Sequence, residues 1–512
     1  MANFKPDNIV QHTLLDIDFL EVIGTDTFEY SLYRLLERNQ ILSAFEVDYK
    51  NDHVGRKAYP PKVLMRIIFY AYYRGVTSSR VIASLCKTDL KFIALAGGDT
   101  PHFTTIADFV SSKPTAIADV FQRVLLVCDE SGLIGKEHFA IDGCKLRSDA
   151  SKQWSGKHDE LSRKCEKMKA MARQIVDKHC DSDSTKAELP EEPKQSVERL
   201  LRNAKKIEDF LAANEPRTGE GKQKKEVQSN VTDNQSAKMS TSKGTIQGYN
   251  AVTAADEKHQ IIVNAECFGA GSEQQTLAPM IEGIEHNLDM DLGHSDTVVT
   301  ADTGFSSEQT MEYLFGRGID AVVPDNQFRK RQEAFAESQT YAQHKERRKK
   351  TRHDKAKSSA QFPSSDFKVD LVEKICVCPA GKELMYHGEH EGTRGTYSRF
   401  RGKLTDCRTC PMATRCMKKA VKGRGRQVQF LNEDQAKASY TDLMKQKIDS
   451  EDGARQYSRR MWTIEPVFGN ICSNKRLDKF SLRGKEKITG QWLLYSLVHN
   501  LEKLWRYGAA AA

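Results

Sequence analysis

No apolar run in these 512 residues is long enough to cross a bilayer. The opening stretch, MANFKPDNIVQHTLLDIDFL, lacks the basic start and apolar segment of a secretory leader, so the expected location is the cytosol. Charge of one sign is in small excess. A net charge of +8 and a pI near 8.7 permit a polyanionic partner without demanding one. No internal repeat is visible. The hydrophobic and charged fractions, 39% and 29%, exclude a disordered or fibrous chain. The length exceeds one ordinary core and implies roughly two to four domains.

The twelve cysteines are unevenly placed. Cys86, Cys128, Cys144, Cys165, Cys180, Cys267 and Cys472 are scattered, as in a reduced protein. Cys376, Cys378, Cys407, Cys410 and Cys416 crowd one region, which points to metal and away from disulfides. Cys407-x-x-Cys410 has zinc-knuckle spacing, and Cys378 and Cys416 complete a tetrahedral set, with Cys376 as the rival of Cys378. A closed thiolate shell of that kind is structural, not catalytic. Free buried thiols are the alternative.

Residues 1–135 read as helical. PPKVLMRIIFYAYYRG opens with two prolines suited to a helix start and places Val63, Ile67 and Tyr70 on one face. Thr77 or Ser78 is placed to cap the next helix, and Thr104 or Thr105 the one after. Such short helices fit a helix-turn-helix-like DNA reader carrying Arg74 and Arg80, or a plain helical bundle.

From residue 136 the texture changes. HFAIDG is a short strand ending in a carboxylate, and a charged helical insertion follows over about 150–243. Strands resume in GYNAVTAADE, QIIVNAECF, TVVTAD and DAVVPD, with helices at TLAPMIEGIEHNL and SSEQTMEYLFGRG between them. This order predicts a mixed α/β core over 136–325. A basic linker centred on KERRKKTRHDKAK and the cysteine cluster occupy 326–425, and 426–512 returns to the core and ends in an amphipathic helix. There His499 reads as a packed or helix-end histidine and not as a ligand.

Asp142 in AIDG and Asp302 in TADTG end strands among small neighbours, where a carboxylate has room to meet a cation and a phosphate. Two hard cations about 3.5–4 Å apart serve phosphodiester chemistry. Asp149, Asp256 and Asp325 share that strand-end character, and such residues commonly begin turns. Glu465, in YSRRMWTIEPVFGN, is the third candidate. Either it completes the acidic set or it pairs with Arg459 or Arg460.

AIDGCKLRSDASK, GYNAVTAADEKHQIIV, TADTGF and IEPVFGNI, in this order, resemble the catalytic segments of DDE transposases of bacterial insertion sequences, nearest to insertion-sequence family 1182. YPPKVLMRIIFYAYYRGVTSSRVIASLC, DTPHFTTIADF and FSLRGKEKITGQWLLYSLVHNLEKL resemble the two ends of the same proteins. The resemblance implies an RNase H-like core preceded by an all-helical N-terminal domain and interrupted by a helical and a zinc-binding insertion. It implies a catalytic triad of Asp142, Asp302 and Glu465 holding Mg²⁺, with Mn²⁺ as substitute, and structural Zn²⁺ on the cysteines. Tyr457 and Arg460 match the tyrosine and arginine before the glutamate and, with Lys475, are the implied DNA contacts of this segment. Cys472 stands where lysine is common, with Lys475 and Arg476 beyond it. DNA ends and target DNA are the implied partners of a homodimer associated with the bacterial nucleoid. The rival readings are a non-catalytic DNA-binding regulator and a hydrolytic nuclease of the same fold.

Overall fold

The computed structural model describes residues 18–37, 41–46, 58–182, 191–219, 224–242, 244–332, 361–392, 395–417, 423–436 and 439–508. The basic block KERRKKTRHDKAK lies outside the described residues. The chain divides into two compact units. The first comprises Met1–Phe305, Gly316–Val322 and Arg455–Ala512, and the second Ser306–Phe315 and Val323–Ala454.

The first unit is built on six strands: β1 (His138–Arg147), β2 (Ala237–Thr241), β3 (Gly244–Asp256), β4 (Ile262–Phe268), β5 (Val298–Ala301) and β6 (Ala321–Val322). Their order is β2-β3-β1-β5-β6, with β4 also paired to β3. β3 runs antiparallel to β1 and β4, whereas β1, β5 and β6 are parallel. β3 is buried from Gln247 to Asp256, as expected of a central strand covered on both faces. Successive side chains of β4 alternate between those faces. Asn264 donates to the Met280 carbonyl of the Leu277–Leu288 helix at 3.2 Å. Cys267 instead reaches the Ile488 carbonyl of the Lys485–Tyr507 helix. The sheet is therefore sandwiched between these two helices.

The C-terminal helix Lys485–Tyr507 is buried over most of its length. It packs on the helices Pro61–Tyr73 and Pro114–Glu130, with Tyr72 and Tyr495 stacked at 4.7 Å and Trp505 edge-on to Phe28 at 6.2 Å. The described helices before residue 135 thus share one core with the end of the chain. Pro61 opens its helix as expected. Ser78 holds the N-cap position of Ser79–Thr88 without a side-chain bond, and His102, not a threonine, caps Phe103–Ser112. The charged insertion forms the helices His158–Ser182 and Glu191–Ala213, paired through Leu161, Cys165, Ala204, Ile207 and Phe210.

The helix before Glu465 does not stop at Pro466. It runs from Glu451 to Phe468 and passes into a π-helical turn, Gly469–Asn474. A proline inside a helix removes the N–H that would bind the carbonyl four residues earlier. Here that carbonyl belongs to Trp462, and Gln260 Nε2 supplies the missing donor at 2.9 Å.

The second unit contains an antiparallel sheet in chain order: β7 (Lys368–Asp370), β8 (Ile375–Val377), β9 (Glu383–Gly392), β10 (Gly395–Arg401) and β11 (Gln427–Ala436). Phe367, Cys376, Leu384, Phe400 and Val428 form its core. Since β11 pairs with β10, the return to the first unit falls at Arg455, later than residue 426.

Candidate active site

β1 and β5 pair in parallel through Ile141 and Ala301 and no further. Asp142 and Asp302 are the next residue on each strand, so the register alone brings them side by side. Asp142 does not end its strand, because β1 continues against β3 to Arg147. It sits where the parallel pairing stops, and its side chain is only partly exposed there. Asp142 Oδ1 accepts from the Gly143 N–H at 2.8 Å, and Oδ2 accepts from Arg460 Nη1 at 2.7 Å. Arg460 Nη2 lies 3.9 Å from Asp302 Oδ1, to which the Tyr457 hydroxyl donates at 3.4 Å. Arg460 is 6% exposed, with its guanidinium 5.6 Å from the Tyr457 ring centre.

Burial pushes the Asp142 carboxyl above its ordinary value, against the pull of Arg460 and the Gly143 N–H, and the charge of Asp302 adds to the rise. Burial works against the Arg460 charge too. Asp142 and Asp302 outweigh it and hold the guanidinium firmly protonated. One buried cation thus gathers two carboxylates from distant parts of the chain.

Glu465 stands on the same helix, exposed. Its stretch is anchored to β1 at both ends, by Arg460 on Asp142 and by Cys472, whose Sγ lies 3.9 Å from that of Cys144. The Glu465 carboxylate makes no hydrogen bond or ion pair among the described residues. The alternative of a pair with a neighbouring arginine is not realised, since Arg459 is bound to Glu257 and Arg460 to Asp142. The rival strand-end aspartates are engaged elsewhere. Asp256 accepts the N–H groups of Gly135, Lys136 and Lys258, Asp149 pairs with Lys479 and Arg483, and Asp325 with Arg331.

Glu273 went unnoticed in the sequence. It leaves the turn before the Leu277–Leu288 helix, where a carboxylate ordinarily serves the helix dipole. Its Oε1 accepts from Asn250 Nδ2 at 3.2 Å. A methyl group added at Gly304 would collide with its Oε2, and one at Gly143 would come within 3.1 Å of Oε1. Burial raises its carboxyl, Lys145 counters this, and both Asp142 and Asp302 push it up further. The glycines after the two aspartates were the only trace of it in the sequence.

The basic candidates fare differently. Lys475 is 1% exposed, and its ammonium is bound to Glu502 at 2.6 Å and Asn470 at 2.9 Å. Arg74 and Arg80 are exposed. Arg74 donates to the Tyr70 hydroxyl at 2.9 Å, and Arg80 lies over the Phe103 ring.

In the second unit, Cys378, Cys407, Cys410 and Cys416 line a single cavity, while Cys376 points into the sheet core. Methyl groups added at Gly402 or Gly425 would press on the Cys407 sulfur at 2.8 and 3.0 Å. No three of these sulfurs lie within 4.8 Å of one another. Among the described residues the set that does is Cys165, Glu166 and Glu208, where the Lys169 ammonium already bridges the two glutamates.

Two stretches match family models. Residues 377–505 match one described as "Transposase DDE domain", and residues 18–112 match "Transposase domain (DUF772)". The first match takes in the four cavity cysteines, Tyr457, Arg460, Glu465 and Lys475, and the second takes in Arg74 and Arg80. Asp142 and Asp302 lie outside both. Both matches support a transposase, and the one over residues 377–505 supports the DDE class. No curated protein matches the chain. Among solved structures, the piggyBac transposase synaptic complex with hairpin DNA is similar at 8% identity, covering 96% of this chain and 77% of that one. The TM-score of 0.31 is too low to bear on the argument. No helix among the described residues is long and apolar enough to cross a membrane.

Proposed function

We propose that this protein cuts the ends of an insertion sequence and joins them to target DNA, using divalent cations held by Asp142, Asp302 and Glu465. The single observation that carries this reading is the parallel register of β1 and β5, which makes neighbours of Asp142 and Asp302. The sheet order, with an antiparallel half and a parallel half, supports the RNase H-like core that the resemblance implies. The donor set is hard oxygen, which suits Mg²⁺ or Mn²⁺. When bound, the cations lower the barrier to attack on phosphorus and stabilise the leaving oxygen.

The chain's own residues have definable tasks. Asp142 and Asp302 would hold the cations where the parallel pairing ends. Glu465, unpaired and exposed on a helix anchored at both ends, would supply the third carboxylate. Arg460 holds Asp142 and lies beside Asp302 and, with Tyr457 beside it, would bind a phosphate. Arg74 and Arg80 contact DNA from the N-terminal helices. Two such chains would act on paired ends, in the nucleoid of a bacterial cell. The test is incubation of the full chain with labelled element ends, target DNA and Mg²⁺. Joined products are expected. Nicks without joining would make the protein a nuclease, and binding without either would make it a regulator.

Cys378, Cys407, Cys410 and Cys416 are proposed to hold one structural Zn²⁺, drawn together on binding from the cavity they already line. Metal analysis of protein purified without chelator should give one zinc per chain. Cys407→Ser should lose it and Cys376→Ser should keep it. Equal zinc in both variants would refute the assignment.

A further inference from the structure

We propose that Glu273 is a further carboxylate of the same cation site, reaching it from the opposite face of the sheet; this rests on the reading of Asp142 and Asp302 given above. The register of β1 on β3 pairs Asp142 with Thr253, Gly143 with Val252 and Lys145 with Asn250. Paired residues share a face and successive ones alternate, so Asp142 faces one way and Gly143, Lys145 and Asn250 the other. The Arg460 helix addresses the Asp142 face. Glu273 arrives on the Asn250 face and reaches the strand end only because Gly143 and Gly304 carry no side chain.

Two observations separate this from a chance acidic cluster. First, the described residues leave Glu273 without an ion pair, although it is partly buried and feels the charge of Asp142 and Asp302, which share one arginine. Such a grouping is unfavourable until a cation joins it. Second, Asn250 is fully buried, and its Oδ1 has no hydrogen-bond partner. That oxygen is aimed at Gly143, where an added methyl would lie 2.7 Å from it. A buried carbonyl oxygen without a donor, beside a carboxylate held by its own amide, is an arrangement that a hydrated hard cation satisfies.

Glu273→Gln tests this directly. The amide keeps the volume and the acceptor oxygen for Asn250 Nδ2 and removes only the charge. Mn²⁺ binding to the full chain without DNA is followed by the loss of the free-ion paramagnetic signal, with thermal melting as the check on folding. Glu273→Gln is expected to weaken Mn²⁺ by about tenfold or more, and Asp142→Asn to weaken it at least as much. Wild-type Mn²⁺ affinity in Glu273→Gln, alongside loss in Asp142→Asn, would overturn the role of Glu273 and leave the cation site standing. Wild-type affinity in both would overturn the cation site itself. Should Glu273→Gln melt early, Glu273→Asp keeps the charge but withdraws it by one methylene. It is expected to bind Mn²⁺ more weakly than wild type, and unchanged affinity in a folded Glu273→Asp would overturn the proposal.

Discussion

Arg460 and Lys475 leave the same run of chain, and both are almost wholly buried against carboxylates. Their surroundings differ in one respect. The polar groups that bind the Lys475 ammonium all have further partners. Its ammonium binds Glu502 and Asn470, Asn470 Nδ2 donates to Glu502 and to His499 Nδ1, and His499 Nε2 donates to the Gln260 carbonyl at 2.8 Å. Around Arg460 the network is open. Its Nε has no partner, and Asp302 is only loosely held. A closed network of buried polar groups holds a fold, whereas an open one has capacity left for a ligand. The two clusters therefore predict opposite consequences for the same kind of change.

The largest expected effect is on chemistry. Asp142→Asn should reduce cutting and joining to background, because both steps need the same cations, while the melting temperature stays near wild type. Gel assays of labelled ends and a thermal melt read the two quantities together. Residual activity within about tenfold of wild type would remove Asp142 from the catalytic set.

Next in size is the loss of stability at the closed cluster. Lys475→Met leaves Glu502 buried without its cation and should cost about 3 kcal/mol in urea unfolding, of which the double change Lys475→Met, Glu502→Leu should recover most. The same cluster makes stability depend on pH. Burial pushes His499 down to about 3, and its two hydrogen bonds fix the neutral Nε2–H tautomer. The folded chain thus refuses a proton that the unfolded chain accepts below about 6.5. This contribution is whole above that value and falls by about 1.4 kcal/mol per unit as pH drops toward 3. His499→Gln should flatten that slope, and an unchanged slope would show that the histidine is not held neutral.

Much of this was legible in the sequence, for reasons that differ by residue. Asp142 and Asp302 were visible because apolar strands with small neighbours carry a strong pattern, and the parallel register did the rest. His499 was legible as a packed residue from the crowded apolar face around it. Glu273 was not, since an acid before a helix has an ordinary explanation, and only pairing shows which face it joins. The passage of the helix through Pro466 was hidden too, because the donor that permits it, Gln260, lies far away in sequence. The buried pair of Lys475 with Glu502 was not legible, because the two residues lie in different segments and nothing near Lys475 in sequence announces its partner. The N-terminal helices look self-sufficient in sequence, and nothing local announces that the last helix completes their core.

The smallest expected effect concerns cations on the surface. Arg74 and Arg80 differ from both buried residues in that neither has a partner that fully neutralises it. Asp89 lies 3.9 Å from Arg74, and Arg80 rests on an aromatic ring. Exposed pairs of that kind contribute little to stability, so Arg74→Ala with Arg80→Ala should leave urea unfolding within about 1 kcal/mol of wild type. Binding of element ends is where their charge would count. Each phosphate contact adds about 0.9 to the slope of log affinity against log salt concentration, so the double variant should bind more weakly and lose roughly 2 from that slope. The comparison is made on the full chain, because the Tyr72–Tyr495 stack ties these helices to the C-terminal helix and a fragment of residues 1–135 would lack it. A lower slope on end DNA and scrambled DNA alike would make both arginines phosphate contacts without a role in sequence recognition. An unchanged slope with unchanged affinity would move the DNA-binding surface away from this face of the helices.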